Sequence, residues 1–82
     1  MARTSPLLIQ LGRSIRRLRA DAKYSQEGFA DAVGVHRTYM GLVERGATNI
    51  TLMNLERIAK TLHLRTSALL AAAENELPDK GA

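Results

Sequence analysis

The sequence predicts an all-α fold, a single compact domain of five short helices. Apolar residues recur every three or four positions along most of the chain, which is the period of a helix. Serine or threonine precedes several of these segments and glycine follows others, as helix start and stop signals do. The chain has 82 residues, 45% of them apolar, and no cysteine. Without disulfides, helical packing around one modest core must hold such a domain together.

The first helix is predicted to begin at Pro6, with Ser5 as its N-cap. Residues 1–6 are expected to form a flexible arm up to this start, and residues 77–82, which are polar and contain Pro and Gly, a disordered tail. The folded domain is therefore expected over residues 7–76. The apolar stripe of the first helix comprises Leu8, Leu11, Ile15 and Leu18.

Two short helices joined by a glycine are predicted over residues 25–46. Ser25 is a good N-cap for a helix over residues 26–33, and Gly34 can take the positive φ that the break requires. A second helix is expected from residue 36 to residue 45, closed by Gly46. Two helices with such a turn form a helix-turn-helix unit, whose second helix can lie in the major groove of DNA. The residues expected to face inward are Phe29, Ala30, Val33, Met40 and Val43.

Two further helices are predicted to complete the core. Thr51 is the expected N-cap of the fourth helix, and His63 is expected to end it in the left-handed conformation. The fifth helix is predicted over residues 64–76. The apolar stripe of the fourth helix comprises Leu52, Leu55, Ile58, Ala59 and Leu62.

Charge and composition narrow the classes of function. The net charge is +4, and residues 1–22 carry five arginines against one acidic residue, so the whole excess lies at the N-terminus and favours a polyanionic partner. His36 and His63 are the only histidines, and neither has metal-ligand spacing or a nucleophile motif beside it, so neither a metal site nor an enzyme is expected. The sequence implies no cofactor. It shows no apolar stretch of membrane-spanning length and no signal peptide, so a cytoplasmic protein is expected.

The run SQEGFADAVGVHRTYMGLVERG, followed by NIT and a further apolar helix, resembles the lambda-repressor-like (Xre-type) helix-turn-helix family. The segment HRTYMGLVERGATNIT is especially similar to the controller proteins of restriction–modification systems. This resemblance covers residues 11–70. It implies a five-helix domain that binds double-stranded DNA as a homodimer on a palindromic operator and regulates restriction–modification genes. RNA polymerase is a candidate further partner. The alternative is an antitoxin or phage-type repressor whose last helices bind a different protein.

The resemblance also assigns roles on the second helix of the unit. Arg37, Thr38 and Leu42 form one outward strip by helical spacing, and the matching family positions contact base edges. Arginine can donate two hydrogen bonds to guanine, and threonine can donate, accept or place a methyl. Leu42 has two equal interpretations, which are contact with a thymine methyl and packing against the neighbouring loop.

Other family positions imply contact with the sugar-phosphate backbone. Such contacts set the register without specifying sequence. For Tyr39, a partly exposed packing residue is the competing interpretation, and for His36 it is an N-terminal helix position. The residues in this class are Gln26, His36, Tyr39, Arg45 and Asn49.

Two structural roles complete the expectations. Arg19 and Glu44 match a pair that the family joins as a partly buried ion pair between the first and third helices. Met53, Leu69 and Leu70 are more apolar surface than one small core is expected to hide, so they are predicted to form a dimer interface.

Overall fold

Five α-helices and the turns between them make up the part of the chain that the computed structural model describes, residues 5–77. The predicted all-α class is therefore confirmed. Residues 1–4 of the expected arm and residues 78–82 of the expected tail lie outside the described residues. The helices are α1 (Pro6–Asp21), α2 (Gln26–Val33), α3 (Arg37–Glu44), α4 (Leu52–Thr61) and α5 (Thr66–Glu74).

The predicted N-caps of three helices are confirmed. The Ser5 Oγ accepts a hydrogen bond from the backbone N–H of Leu7 at 3.0 Å, and the Ser25 Oγ accepts one from Gly28 at 2.9 Å. The Thr51 Oγ1 does the same for Asn54 at 3.1 Å. Each oxygen satisfies a first-turn donor that has no partner inside its own helix. Local side-chain chemistry therefore decides where these helices begin.

Positive φ angles mark the predicted helix ends. Gly34, the C-cap of α2, has φ 94°. His63, which follows α4, has φ 59°, so its expected left-handed conformation is also confirmed. These turns bring α2 against α3 and α4 against α5.

One core lies between the helices. The helix α1 packs against α3 and α5, while α2 packs against α3 and α4. Every predicted inward residue of α2 and α3 is buried, and so are Leu11 and Ile15 of α1. The buried apolar residues are Leu11, Ile15, Phe29, Ala30, Val33, Met40, Val43, Leu55, Ile58, Ala59, Leu69 and Ala73.

The helix α1 crosses the end of α3 at backbone distance. A Cβ atom at Gly12 would lie 2.5 Å from the carbonyl oxygens of Val43 and Glu44, which is shorter than any van der Waals contact. Gly46, with φ 69°, would place a Cβ 2.7 Å from the Cα of Ile9. The apolar pattern of α1 does not reveal this crossing, because Gly12 contributes nothing to that pattern. These two glycines determine how closely α1 approaches α3 and the turn that follows it.

Two apolar residues lie elsewhere than predicted. Leu52 was expected inside the core but is 73% exposed, since it begins α4 and no helix covers that turn. Leu69 was expected at a dimer surface but is fully buried, because α5 packs against both α1 and α4. The assignment of Leu69 to an interface is therefore wrong. Within residues 5–77, no helix is both long enough and apolar enough to cross a membrane.

Candidate nucleic-acid interface

The second helix of the unit, α3, has one anchored face and one open face. Met40 and Val43 face the core together with the buried side chain of Glu44. Arg37 and Thr38 are exposed on the other face, as the periodicity predicts. The helix spans Arg37–Glu44 rather than residues 36–45, because the two predicted end residues serve as its caps. The core therefore anchors the inner face of α3 and leaves the side chains of its first turn exposed to solvent.

The first turn of α3 is organised by His36. The backbone of His36 is extended, and its Nδ1 accepts a hydrogen bond from the Thr38 backbone N–H at 3.0 Å. Histidine is an uncommon N-cap, and for that reason the sequence did not predict the cap. The capping bond fixes the backbone of the turn that carries Arg37 and Thr38.

The three residues predicted to contact bases differ in accessibility. The Arg37 side chain is 66% exposed, and its Nη1 lies 3.7 Å from the Glu27 Oε1. Thr38 is exposed, whereas Leu42 is half-buried. An ion pair as exposed as that of Arg37 contributes about 0–1 kcal/mol, so the guanidinium can exchange its partner readily.

A network centred on Glu44 supports α3 from the side of α1. The Arg19 Nε donates to the Glu44 Oε2 at 2.6 Å, and its Nη2 donates to Oε1 at 3.1 Å. The third nitrogen, Nη1, donates to the Tyr24 carbonyl oxygen at 2.9 Å. The side chains of Arg19 and Glu44 are only 13% and 3% exposed. The family-derived ion pair is thus present in the structure as a bidentate contact.

Two backbone-contact candidates also make contacts within the protein. The Gln26 Nε2 donates to the Glu44 Oε1 at 3.1 Å and so joins α2 to the network. The Tyr39 hydroxyl accepts a hydrogen bond from the Asn54 Nδ2 at 3.1 Å and joins α3 to α4. Tyr39 is half-buried, as its alternative interpretation requires, while Asn49 is exposed in the loop after α3.

An open cleft lies beside this network, with a volume of about 370 Å³. It opens between α1, the start of α2 and the end of α3. We call it the arginine cleft, because three of its lining residues are arginines. It is lined by Arg16, Arg19, Gln26, Gly41, Glu44 and Arg45.

A second surface is apolar and lies at the start of α4. Leu52 and Met53 are 73% and 69% exposed, which is unusual for large apolar side chains. They line a groove of about 320 Å³ together with Glu56 and Thr66. Leu70 is half-buried. We call the groove lined by Leu52, Met53, Glu56 and Thr66 the α4 groove.

The arrangement of α2 and α3 has a counterpart in known proteins. Residues 10–73 match the family described as a helix-turn-helix domain. The chain belongs to that helix-turn-helix family. The matched residues run from α1 into α5, so family membership covers almost the whole described fold.

Relatives within the helix-turn-helix family include control proteins. The control protein C.MunI of Mycoplasma sp is 36% identical over 69 residues, which cover 83% of this chain and 93% of the relative. Among solved structures, the restriction–modification controller protein C.AhdI from Aeromonas hydrophila has a TM-score of 0.73 and 37% identity, covering 76% of this chain and 94% of that one. SinR, a master regulator for biofilm formation, was solved in complex with DNA. It has a TM-score of 0.69 and 30% identity, covering 73% of this chain and 97% of SinR.

The structure of this helix-turn-helix domain adds residues that sequence reasoning missed. The sequence distinguishes Arg16 only as one of the five arginines of residues 1–22, whereas in the structure it lines the arginine cleft. Only the folded crossing of α1 and α3 brings it there, so no local signal in the sequence could have identified it. Among the described residues, no group of three or more His, Cys, Asp or Glu side chains is placed to hold a metal ion.

Proposed function

We propose that this protein is a sequence-specific transcriptional regulator that binds double-stranded DNA as a homodimer on a palindromic operator. The observation that carries the proposal is α3, a helix anchored by Met40, Val43 and Glu44 with Arg37 and Thr38 exposed at its first turn. In helix-turn-helix proteins the N-terminal residues of this helix contact base edges. Membership of the helix-turn-helix family supports the same role.

The exposed residues have suitable chemistry for reading bases. Arg37 can give up its weak pairing with Glu27 and donate two hydrogen bonds to guanine O6 and N7. Thr38 can exchange a hydrogen bond or place its methyl group against thymine. His36, which caps the helix, holds both residues at the end that enters the groove. Leu42 is half-buried, so its contribution to base contact is limited to its exposed edge.

The proposed homodimer follows from the small number of base pairs that one recognition helix can contact. A single recognition helix contacts only a few base pairs, and two-fold symmetry doubles the site. The α4 groove offers an apolar surface for that pairing, because Leu52 and Met53 line it and are largely exposed. Leu70, the remaining residue predicted at the interface, is half-buried on α5. The regulated genes would be those of a restriction–modification system, as the similarity to C.MunI and C.AhdI supports, and RNA polymerase is a candidate partner at the promoter.

The same exposed groove also favours the second candidate function. An antitoxin or phage-type repressor would use the α4 groove to bind a different protein instead of a second copy of this chain. Leu52 and Met53 suit either occupant, since apolar patches of this kind mark protein-binding sites. The two functions therefore differ in the occupant of the groove.

One pair of measurements separates these functions. Random duplexes carried through rounds of binding and amplification should yield a palindromic consensus if the regulator is correct. Sedimentation equilibrium of the purified chain should then give the mass of a dimer. A monomer that enriches no sequence would contradict the proposed function and favour the protein-binding alternative.

A further inference from the structure

We propose that the arginine cleft is a phosphate-binding subsite, in which Arg16 of α1 and Arg45 at the end of α3 bind the backbone of the same DNA duplex that α3 reads. This inference rests on the proposed function and deepens it, because it assigns an affinity role to a residue of the first helix. Arg16 has no other evident structural role, since it is exposed and is separate from the core.

The charge balance in the cleft favours an anion. The Glu44 carboxylate faces the cleft, but both of its oxygens already accept hydrogen bonds, from Arg19 on one side and Gln26 on the other. Glu44 therefore compensates Arg19. Arg16 and Arg45 make no salt bridge and no side-chain hydrogen bond with any residue in the range 5–77. The cleft thus presents two uncompensated guanidinium groups, the preferred side chains for phosphate.

The floor of the cleft leaves space for an oxygen atom. Gly41 lies in the middle of α3, where glycine costs about 1 kcal/mol relative to alanine. A Cβ at Gly41 would lie 3.3 Å from the Arg45 Nη1 and 3.6 Å from the Gln26 Oε1, so it would fill the space between these two side chains. The start of α2 also borders the cleft at Gln26, and the positive end of a helix dipole favours an anion there.

The position of the arginine cleft along α3 indicates that its anion is a phosphate of the DNA duplex rather than a free anion. Arg45 follows Arg37 by two helical turns, a rise of about 12 Å. The major groove is about 12 Å wide. With Arg37 at the base edges, the arginine cleft at the other end of α3 lies where the groove wall and its phosphates begin.

The test compares arginines of the same helix. Arg16→Ala should weaken binding of the full chain about tenfold on both the selected operator and a random duplex, as loss of a charge-assisted hydrogen bond does. The slope of log K against log salt should become shallower by about 0.9 per bound subunit. Arg13→Ala and Arg17→Ala are matched controls, because both arginines are exposed on α1 and neither lines the cleft. They should change affinity less than twofold.

A second measurement identifies the phosphate itself. Operators carrying one neutral methylphosphonate at successive positions should show one position per half-site at which wild-type protein loses affinity and the Arg16→Ala variant does not. Arg16→Lys should recover part of the affinity, because lysine restores the charge without the planar fork. Gly41→Ala should remain folded by circular dichroism and weaken operator and random duplex by the same factor.

The possible outcomes distinguish a failure of the phosphate subsite from a failure of the proposed function on which it rests. If wild-type protein binds no duplex, the proposed function fails. If wild-type protein binds its operator and Arg16→Ala binds as tightly as Arg17→Ala does, the function stands and the phosphate subsite is wrong. A loss confined to the operator, with random duplex unaffected, would also overturn the inference, since a phosphate contact carries no sequence information.

Discussion

At the scale of single residues, Glu44 links three helices of the described fold. Its carboxylate is 3% exposed and joins α1 to α3 through Arg19 and α2 to α3 through Gln26. Such a pair need not stabilise the fold more than apolar side chains of the same volume would. Removing one partner is different, because it leaves the other charge buried without compensation.

We expect Glu44→Ala to lower the free energy of unfolding by about 3–5 kcal/mol, since Arg19 would lose its partner while remaining largely shielded from water. Urea titration followed by circular dichroism measures this loss. Glu27→Ala is the matched control, because its carboxylate is 68% exposed and its removal should change stability little. An unchanged unfolding midpoint for Glu44→Ala would mean that the pair is exposed in solution.

Arg37 should affect specificity rather than stability. Arg37→Ala should weaken operator binding by about 1–3 kcal/mol per half-site and relax the preference at one symmetric guanine. Affinity for random duplex should change little. Fluorescence anisotropy with operator, guanine-substituted operator and random duplex measures the three values. Arg57→Ala serves as the charge control, as it removes an exposed arginine from α4. An equal loss on all three duplexes would place Arg37 among the residues that position the protein.

At the scale of the elements, the crossing of α1 over the end of α3 sets the geometry of the candidate nucleic-acid interface. Gly12 allows the two backbones to approach closely, and Arg16 and Arg45 line the same cleft beside this crossing. Helix propensity alone would favour alanine at position 12 by about 1 kcal/mol. Tertiary contact outweighs that preference, because the added Cβ has no room.

We therefore expect Gly12→Ala to destabilise the protein, although alanine is the better helix former. The carbonyl oxygens of Val43 and Glu44 belong to the backbone, so α1 must move away from α3 to accept the methyl group. Thermal unfolding should show a lower midpoint. Gly41→Ala offers a contrast within the same fold, because the atoms nearest its added Cβ are the ends of the Arg45 and Gln26 side chains, at 3.3 and 3.6 Å, and these can shift. A raised midpoint for Gly12→Ala would show that the crossing is looser than described.

The elements also show what sequence reasoning can and cannot reach. Ser25, Thr51 and Gly34 act through local chemistry, so the helix boundaries they set were predictable from neighbouring residues alone. Leu52 was predicted to be buried and Leu69 to be exposed, and the structure shows the opposite. Helical spacing identifies the apolar face of a helix, but it does not show which turns of that face are covered by another helix. The outward position of Arg37 and Thr38 on α3 follows from periodicity, and their proposed contact with bases follows from the family resemblance. The ion pair between Arg19 and Glu44, which holds α3 against α1, was predicted from the family resemblance. The position of Arg16 at the arginine cleft depends on how α1 crosses α3 and could not be predicted from the sequence.

At the scale of the whole molecule, the candidate DNA-binding surface and the candidate protein-binding surface lie on different helices of the described domain. The exposed residues Arg37 and Thr38 and the arginine cleft belong to α1, α2 and α3, whereas the α4 groove lies between α4 and α5. A substitution in the groove can therefore change assembly without touching α3. This separation allows dimerisation and DNA contact to be tested independently.

We expect the double variant Leu52→Asp, Met53→Asp to remain folded and become monomeric. Both side chains are largely exposed, so the charges are tolerated in the isolated subunit and repelled at a two-fold contact. Sedimentation equilibrium gives the mass, and circular dichroism checks the fold. The variant should also lose affinity for a palindrome more than for a half-site. Leu69→Asp is the contrasting variant, since Leu69 is fully buried and a charge there should unfold the chain. A folded double variant that remains dimeric would exclude the α4 groove as the interface.

The anchoring of α3 through its inner face has a consequence for engineering new regulators. Because Met40, Val43 and Glu44 hold the helix while His36 caps it, positions 37 and 38 carry no part of the packing. A library randomised at these two positions should consist mainly of folded members, and Leu42 should be left unchanged because it is half-buried. Selecting each member against a pool of palindromes would yield pairs of regulator and operator that do not cross-react. The domain would then serve as a scaffold for independent gene circuits within one cell.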